Sequence, residues 1–481
     1  MKQVAKFGVS AIVAAVLAAC GGGGSDSSPA PATNTNTVTV TADKMTTTAL
    51  NAILNSAADG STISLPAGKY TFLGPLQLAN KKGITIVGAG NGYDPTRATI
   101  LSFKNALTQN GLSASQANNL TLRGFAIEDA SGNGIFVTQS NTVVMDTLRA
   151  EWTTDPFNTS TMAYGLYPVS SDNVKVTNSI VVGSRDAGIY VGQSTNIHVS
   201  YNDVHDNVAG VEIENSHSAV VEGNTVHNNT GGILVFALTG PTRFYDTTDV
   251  KVLNNQINGN NLPPAANATG LVRTVPPGTG VMVLASQRVE VSGNTIADHE
   301  TTGVLTVTAI AAGIDLASVV GKVDSQGKAY DPYVRGVSIH SNAISAFGSS
   351  PGGAFADATQ LGTFTSTVMG ALQGAGEPQA FGAVLWDGIV DPATASAAPM
   401  ADGSLGAYGA NLQVCSQGNT VTPPTGATGA TPSYENMDIN LVALMSQAGL
   451  SQTPLFAPLG VAPSRLACSI TLPAVTLPAG I

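Results

Sequence analysis

A glycine followed by alternating apolar residues recurs along this chain at a nearly constant step, and that repeat limits the fold more than any other feature. It stands at Gly134-Ile135-Phe136-Val137, Gly188-Ile189-Tyr190-Val191, Gly210-Val211-Glu212-Ile213, Gly232-Ile233-Leu234-Val235, Gly280-Val281-Met282-Val283 and Gly303-Val304-Leu305-Thr306. From Gly188 to Gly210 to Gly232 the step is 22 residues each time, and from Gly280 to Gly303 it is 23. Gly165-Leu166-Tyr167 fits the same column. A second strand keeps the phase at Val174/Val176, Ile197/Val199, Ala219/Val221, Val250/Val252, Val289/Val291 and Val337/Ile339. An asparagine follows it at Asn202, Asn224, Asn255, Asn294 and Asn342. A period of this length with about three short strands is one turn of a parallel β-helix, in which successive coils stack about 4.8 Å apart. The expected class is therefore all-β, a solenoid. The asparagines are expected to form a ladder at a turn, in left-handed backbone that Asn tolerates. A leucine-rich repeat would show a Leu consensus and helical segments, and neither is present.

The ends and interruptions of the repeat divide the chain. Met45–Ala58 has helical apolar spacing (Leu50, Ile53, Leu54, Ala57) and is expected to cap the open end of the solenoid, which spans 38–345. Long steps mark insertions, one around Trp152–Phe157 and one between Gly232 and Gly280; insertions on a solenoid tend to share a face and carry function. After about residue 345 the repeat fades. Residues 346–481 read as a C-terminal extension that packs along or caps the solenoid, with an ordered apolar segment at Phe381–Pro392.

Residues 1–20 are a targeting segment. Lys2 and Lys6 precede an apolar run, Phe7–Leu17, too short to span a membrane as a mature helix, and the segment ends Leu17-Ala18-Ala19-Cys20-Gly21. That ending resembles the bacterial lipoprotein signal, which implies cleavage before Cys20, lipid on its sulfur, membrane attachment through that anchor and, with Gly21 next, the outer membrane. The alternative is an ordinary signal peptide that contains a Cys. Residues 21–37 are a flexible Gly/Ser/Pro/Thr/Asn tether. Of the three cysteines, Cys415 and Cys468 remain, and an exported compartment permits a disulfide between them; two buried thiols are the other possibility. Twenty Lys and Arg stand against 31 Asp and Glu, which disfavours a nucleic-acid partner, because phosphate binding needs clustered cations.

The coils place polar residues in columns. Five positions before the repeat glycine stand Asp129, His205, His227 and Asp298; four before it stand Asp206, Asn228 and His299. His205 and His227, one coil apart, with Asp206 beside them, form an acid/base or metal pair, against the plainer reading of a solvated turn column. The insertion after Phe236 is expected to overhang them. Glu212 and Glu214 are able to bind Ca²⁺ but, as outward carboxylates, are expected to meet water. Arg185-Asp186 reads as a structural pair. Tyr164, Tyr167, Tyr190 and Tyr201 with Trp152 are either a sugar platform or packing. No motif demands a cofactor.

Several segments resemble the exported right-handed parallel β-helix repeat lipoproteins of the pectate-lyase-like superfold. They are Asp59-Gly60-Ser61-Thr62-Ile63-Ser64-Leu65-Pro66-Ala67-Gly68-Lys69-Tyr70, Lys82–Gly90, His227–Phe236, Val275-Pro276-Pro277-Gly278-Thr279-Gly280 and Leu385-Trp386-Asp387-Gly388. The resemblance implies the fold over roughly 40–480 and leaves the biochemical role of that subgroup open. More distant relatives cleave or epimerise acidic polysaccharides. Their Asp-Pro-His run is Asp155-Pro156-Phe157 here, and the paired aspartates with Gly-His-Gly of polygalacturonases do not occur. The expected function is a lipoprotein presenting a β-helical face to a polysaccharide or an exported partner protein. The alternative is a lyase or epimerase on uronic-acid glycans, with His205, His227 and Asp206 as acid/base.

Overall fold

The computed structural model describes residues 36–106, 110–153, 164–240, 242–263, 271–357, 362–389, 391, 414–428, 434–438 and 469–472. Cys20, Cys468, the signal segment and nearly all of the tether lie outside them. Among the described residues three sheets of 12, 11 and 11 strands run side by side, and each strand pairs with its counterpart one coil away. One coil is read directly off the chain: Thr195–Ser200 in the first sheet, Asp203–His205 in the second, Ala209–Glu214 in the third. The next coil repeats it with His217–Glu222, Thr225–His227 and Gly231–Phe236. Every one of these strands pairs in parallel with the coil above, as Ile197 with Ala219, Val204 with Val226 and Val211 with Ile233.

The inward residues are the ones whose period is visible in the sequence. Ile189, Val211, Ile233, Val281 and Val304 stack in register down the third sheet, and all are fully buried. Val181, Val204, Val226, Ile257 and Ile296 do the same in the second. The repeat glycine marks the start of each third-sheet strand because the corner there is narrow. A Cβ built on Gly210 would lie 2.4 Å from Val226 Cγ1 and 2.7 Å from the Gly232 carbonyl oxygen of the next coil.

The asparagine ladder is present, with one correction. The ladder asparagines are not the left-handed residues; the residue before each of them is, at Tyr201, Gly223, Asn254, Gly293 and Ser341. That turn directs the amide into the solenoid. Asn224 donates from Nδ2 to Asn255 Oδ1 at 2.9 Å and to the Val199 carbonyl at 3.0 Å. Its own Oδ1 accepts the Asn202 backbone N–H at 3.0 Å and the Asn202 amide at 2.9 Å. Both donors and both lone pairs are used, which is the condition for burying an amide without penalty. The ladder runs on through Asn294 and Asn342 to Asn419.

At the N-terminal end the expected cap forms as Thr47–Ser56, with Thr46 accepting the Ala49 N–H and with Leu50 and Leu54 buried. At the other end the sheets run past residue 345. Val384–Trp386 and Asn436–Asp438 extend the third sheet, Val414–Ser416 the first and Thr420–Thr422 the second. The repeat fades in the sequence because long connections separate these strands, one of them holding the helix Gly362–Gly374. Among the described residues no helix is long and apolar enough to cross a membrane.

The three sheets differ on their outer faces. First-sheet strands such as His217–Glu222 bury only alternate positions towards their C-terminal end. Third-sheet strands from Ala187–Gly192 to Thr302–Val307 are buried at all six positions. Their outward Leu234, Phe236, Met282, Leu284 and Leu305 join a second apolar cluster with Val272, Val275, Phe355 and Phe381, which come from the inserted connections. This sheet is sandwiched between the solenoid core and a layer of insertions, the situation that produces continuous apolar strands.

Candidate functional site

The second sheet carries the histidines. His205 and His227 are register partners on adjacent coils, in a strand whose middle residue, Val204 or Val226, points inward. Their rings therefore point outward and stack, with centroids 4.8 Å apart and planes 18° apart. Nδ1 of His205 lies 2.7 Å from Asp206 Oδ2, and Nε2 of His227 lies 3.1 Å from Asp203 Oδ1. The expected adjacency and outward direction are met, and the pair sits at strand ends. Asp203, two residues before His205, is a member that the sequence reading passed over.

The rest of the expected column shifts by one. Glu128, not Asp129, occupies the position of His205 in its coil, and Ala297, not Asp298, does so in another. Asp129, Asp206, Asn228 and Asp298 share the left-handed corner instead. One extra residue between that corner and the glycine displaces a count made backwards from the glycine. His299 turns inward, where it accepts from Asn260 Nδ2 at 3.1 Å and ends a second ladder, Asn207–Asn229–Asn260. Of the segment after Phe236, the described stretch around Arg243 and Phe244 lies away from the histidines. Its bonds from Arg243 and Phe244 go to Gln193 and Asp172, at the corner between the third and first sheets.

A different cluster lies on the outer face of the third sheet. Glu212 and Glu214 do not meet water: they are 3% and 8% exposed, and Asp186 is 3% exposed. Burial pushes the carboxyl of Asp186 up to about 8, with the charge of Glu214 adding to it and the Tyr164 hydroxyl opposing it through a hydrogen bond. Burial raises Glu214 to about 7 against hydrogen bonds from Tyr190 and Glu212, and raises Glu212 as well. Shifts in this direction favour the protonated carboxyl, which donates as well as accepts hydrogen bonds.

Beside the acids stand several aromatic rings. Tyr190 is the register neighbour of Glu212. Tyr164 contacts Tyr167 at 4.4 Å and Tyr190 at 4.8 Å between centroids, and Phe136 contacts Tyr167 at 5.1 Å. Phe136, Tyr164 and Tyr167 are half-buried. Burial raises Tyr167 to about 12 and Tyr164 further, so all these phenols stay protonated. Of the aromatic residues singled out in the sequence, three gather here. Trp152 instead donates to the Ala130 carbonyl at 2.6 Å, and Tyr201 borders a shallow cavity of about 310 Å³ on the first sheet with Lys175 and His198. The sequence signal for the covered face was the unbroken apolar run Gly231–Phe236, which differs from the alternation of a one-sided strand.

A solenoid of three parallel sheets with an aromatic, acid-lined outer face defines the class as a parallel β-helix protein. Residues 82–248 match the family model described as "Right handed beta helix region". No curated protein matches the sequence. Among solved structures, the mannuronan C-5 epimerase AlgE4 A-module of Azotobacter vinelandii is similar at 14% identity and a TM-score of 0.46, over 82% of this chain and 95% of that one. An alginate lyase from Paenibacillus sp. str. FPU-7 is similar at 16% identity and a TM-score of 0.42, over 64% and 95%. The Family 28 exopolygalacturonase of Yersinia enterocolitica is similar at 12% identity and a TM-score of 0.40, over 65% and 66%. Likeness at this level carries no substrate and no mechanism to this chain.

Proposed function

We propose that this chain is an exported β-helix lipoprotein, anchored in the outer membrane through Cys20, that binds a glycan on the outer face of its third sheet. One observation carries the reading: Phe136, Tyr164, Tyr167 and Tyr190 form a contiguous set of rings beside three carboxyl groups that burial raises above the usual carboxylate range. Sugar rings stack their C–H faces on aromatic surfaces, and their hydroxyls pair with groups that both donate and accept. The test is a glycan array probed with the full chain. A hit lost on Tyr164→Ala with Tyr167→Ala supports the reading. Unchanged binding by that variant, or capture of an exported protein with no glycan hit, rejects it.

A catalytic reading has its own support. Asp186 and Glu214, with values of about 8 and 7, are suited to general acid/base work near neutral pH. On that reading the chain is a lyase or epimerase of uronic-acid polysaccharide. Product analysis on alginate- and pectin-type polymers decides it, and no turnover at any pH from 5 to 9 removes it.

A further inference from the structure

We propose that Asp203, His205 and His227 form a binding site for a divalent first-row transition-metal ion of the zinc type. The site is separate from the glycan face, since it stands on the second sheet, and does not depend on that reading.

The geometry supplies the ligands. One carboxylate oxygen of Asp203 and one ring nitrogen of each histidine all lie within 4.8 Å of one another. Around a tetrahedral zinc with bonds of about 2.0–2.1 Å, neighbouring ligand atoms stand about 3.4 Å apart. The Asp203 Oδ1 to His227 Nε2 separation is already 3.1 Å. A ring nitrogen of His205 lies within 4.8 Å of both, so a small side-chain adjustment brings the three ligands to zinc distance. The backbone needs no change, because parallel register fixes the two histidines on adjacent coils.

The chemistry selects the ion. Two imidazoles and one carboxylate are a nitrogen-rich set, whereas Ca²⁺ and Mg²⁺ take oxygen ligands. Three protein ligands leave a fourth position open to water or substrate. Asp206 bonds His205 at Nδ1, which leaves Nε2 for the ion and provides the carboxylate behind a ligating imidazole that fixes its orientation.

The experiment uses the full chain, stripped with chelator and dialysed against Zn²⁺ at micromolar free concentration. The expected result is one bound equivalent, with a tetrahedral visible band when Co²⁺ replaces zinc. His205→Gln with His227→Gln should abolish that equivalent and the band, and Asp206→Asn should weaken affinity by about 10–100-fold. The other partly exposed histidines are paired elsewhere, His198 with Glu222, His217 with Asp246 and His340 with Glu290, so His198→Gln with His340→Gln should retain the full equivalent. The outward rings of His205 and His227 contribute little to the core, so circular dichroism of their variant should match the parent. No uptake at 100 micromolar Zn²⁺, or uptake unchanged in the His205/His227 variant, overturns the proposal.

Discussion

Inside the solenoid the side-chain amide of Asn260 donates to Nε2 of His299 at 3.1 Å, so a histidine ends a column of asparagines. Nδ1 of that ring is buried without a hydrogen-bond partner among the described residues. Burial drives the imidazole down to about 3 from its usual 6.5.

That shift sets an acid limit on stability. The unfolded chain binds a proton at His299 near pH 6.5, and the folded protein does not until about 3. Stability present above 6.5 is therefore lost as pH falls through that window. Asn at this position would end the ladder with the group that builds it. Urea midpoints of His299→Asn should fall less between pH 6.5 and 4 than those of the parent; equal slopes would show that the ring does not limit stability.

The carboxyl trio acts in the opposite direction. Asp186 rises from 3.8 to about 8, and Glu214 from 4.5 to about 7. Groups raised in the folded state stabilise fully below their unfolded values, and that contribution is lost progressively as pH climbs from about 4 to the folded values of about 7 and 8. Asp186→Asn keeps an oxygen to accept the Tyr164 hydroxyl and cannot ionise. Its thermal midpoint should stay flatter from pH 5 to 9 than the parent's, as should that of Glu214→Gln. A parent protein whose midpoint does not fall between pH 5 and 8 relative to these variants refutes the shift.

Gly210 tests the corner. A methyl there meets Val226 and the carbonyl of Gly232 at distances that real contacts do not reach. Gly210→Ala should cost about 1–3 kcal/mol, the range for overpacking a filled interior. Chemical denaturation measures it, and a loss below about 0.5 kcal/mol would mean that the coils can separate at that corner.

The anchor proposal is checked in cells. Cys20→Ser should move the protein from the membrane to the soluble fraction. Unaltered membrane association rejects lipidation at that residue.

The cysteine proposal is checked by mass. Cys415 is 1% exposed in the strand Val414–Ser416, and Cys468 lies outside the described residues. Pairing of the two leaves no alkylatable thiol in the mature, unreduced protein; two alkylated cysteines would refute it.

Much of the fold was legible before any coordinates. The steps from Gly188 to Gly210 to Gly232 fix which residues stack, because each coil uses the same number of residues to return to the same point. That arithmetic put His205 opposite His227, and it holds wherever coils have equal length. It failed at Asp129 and Asp298, where one extra residue enters before the glycine, and it could not follow the solenoid across the long connections that precede Val384 and Val414.

By itself, then, the sequence determined the coil, its inward stacks and the asparagine ladder, since these depend on local period and on contacts between equivalent residues. Only the tertiary structure decided that Asp186, Glu212 and Glu214 are buried, with burial raising their carboxyls above the usual range, and that Tyr164, Tyr167 and Tyr190 meet. Alternation along Gly210–Glu214 states which side chains leave the core but not what lies over them. What lies over them comes from inserted connections, brought there by apolar packing between segments far apart in the chain that carry no repeat of their own.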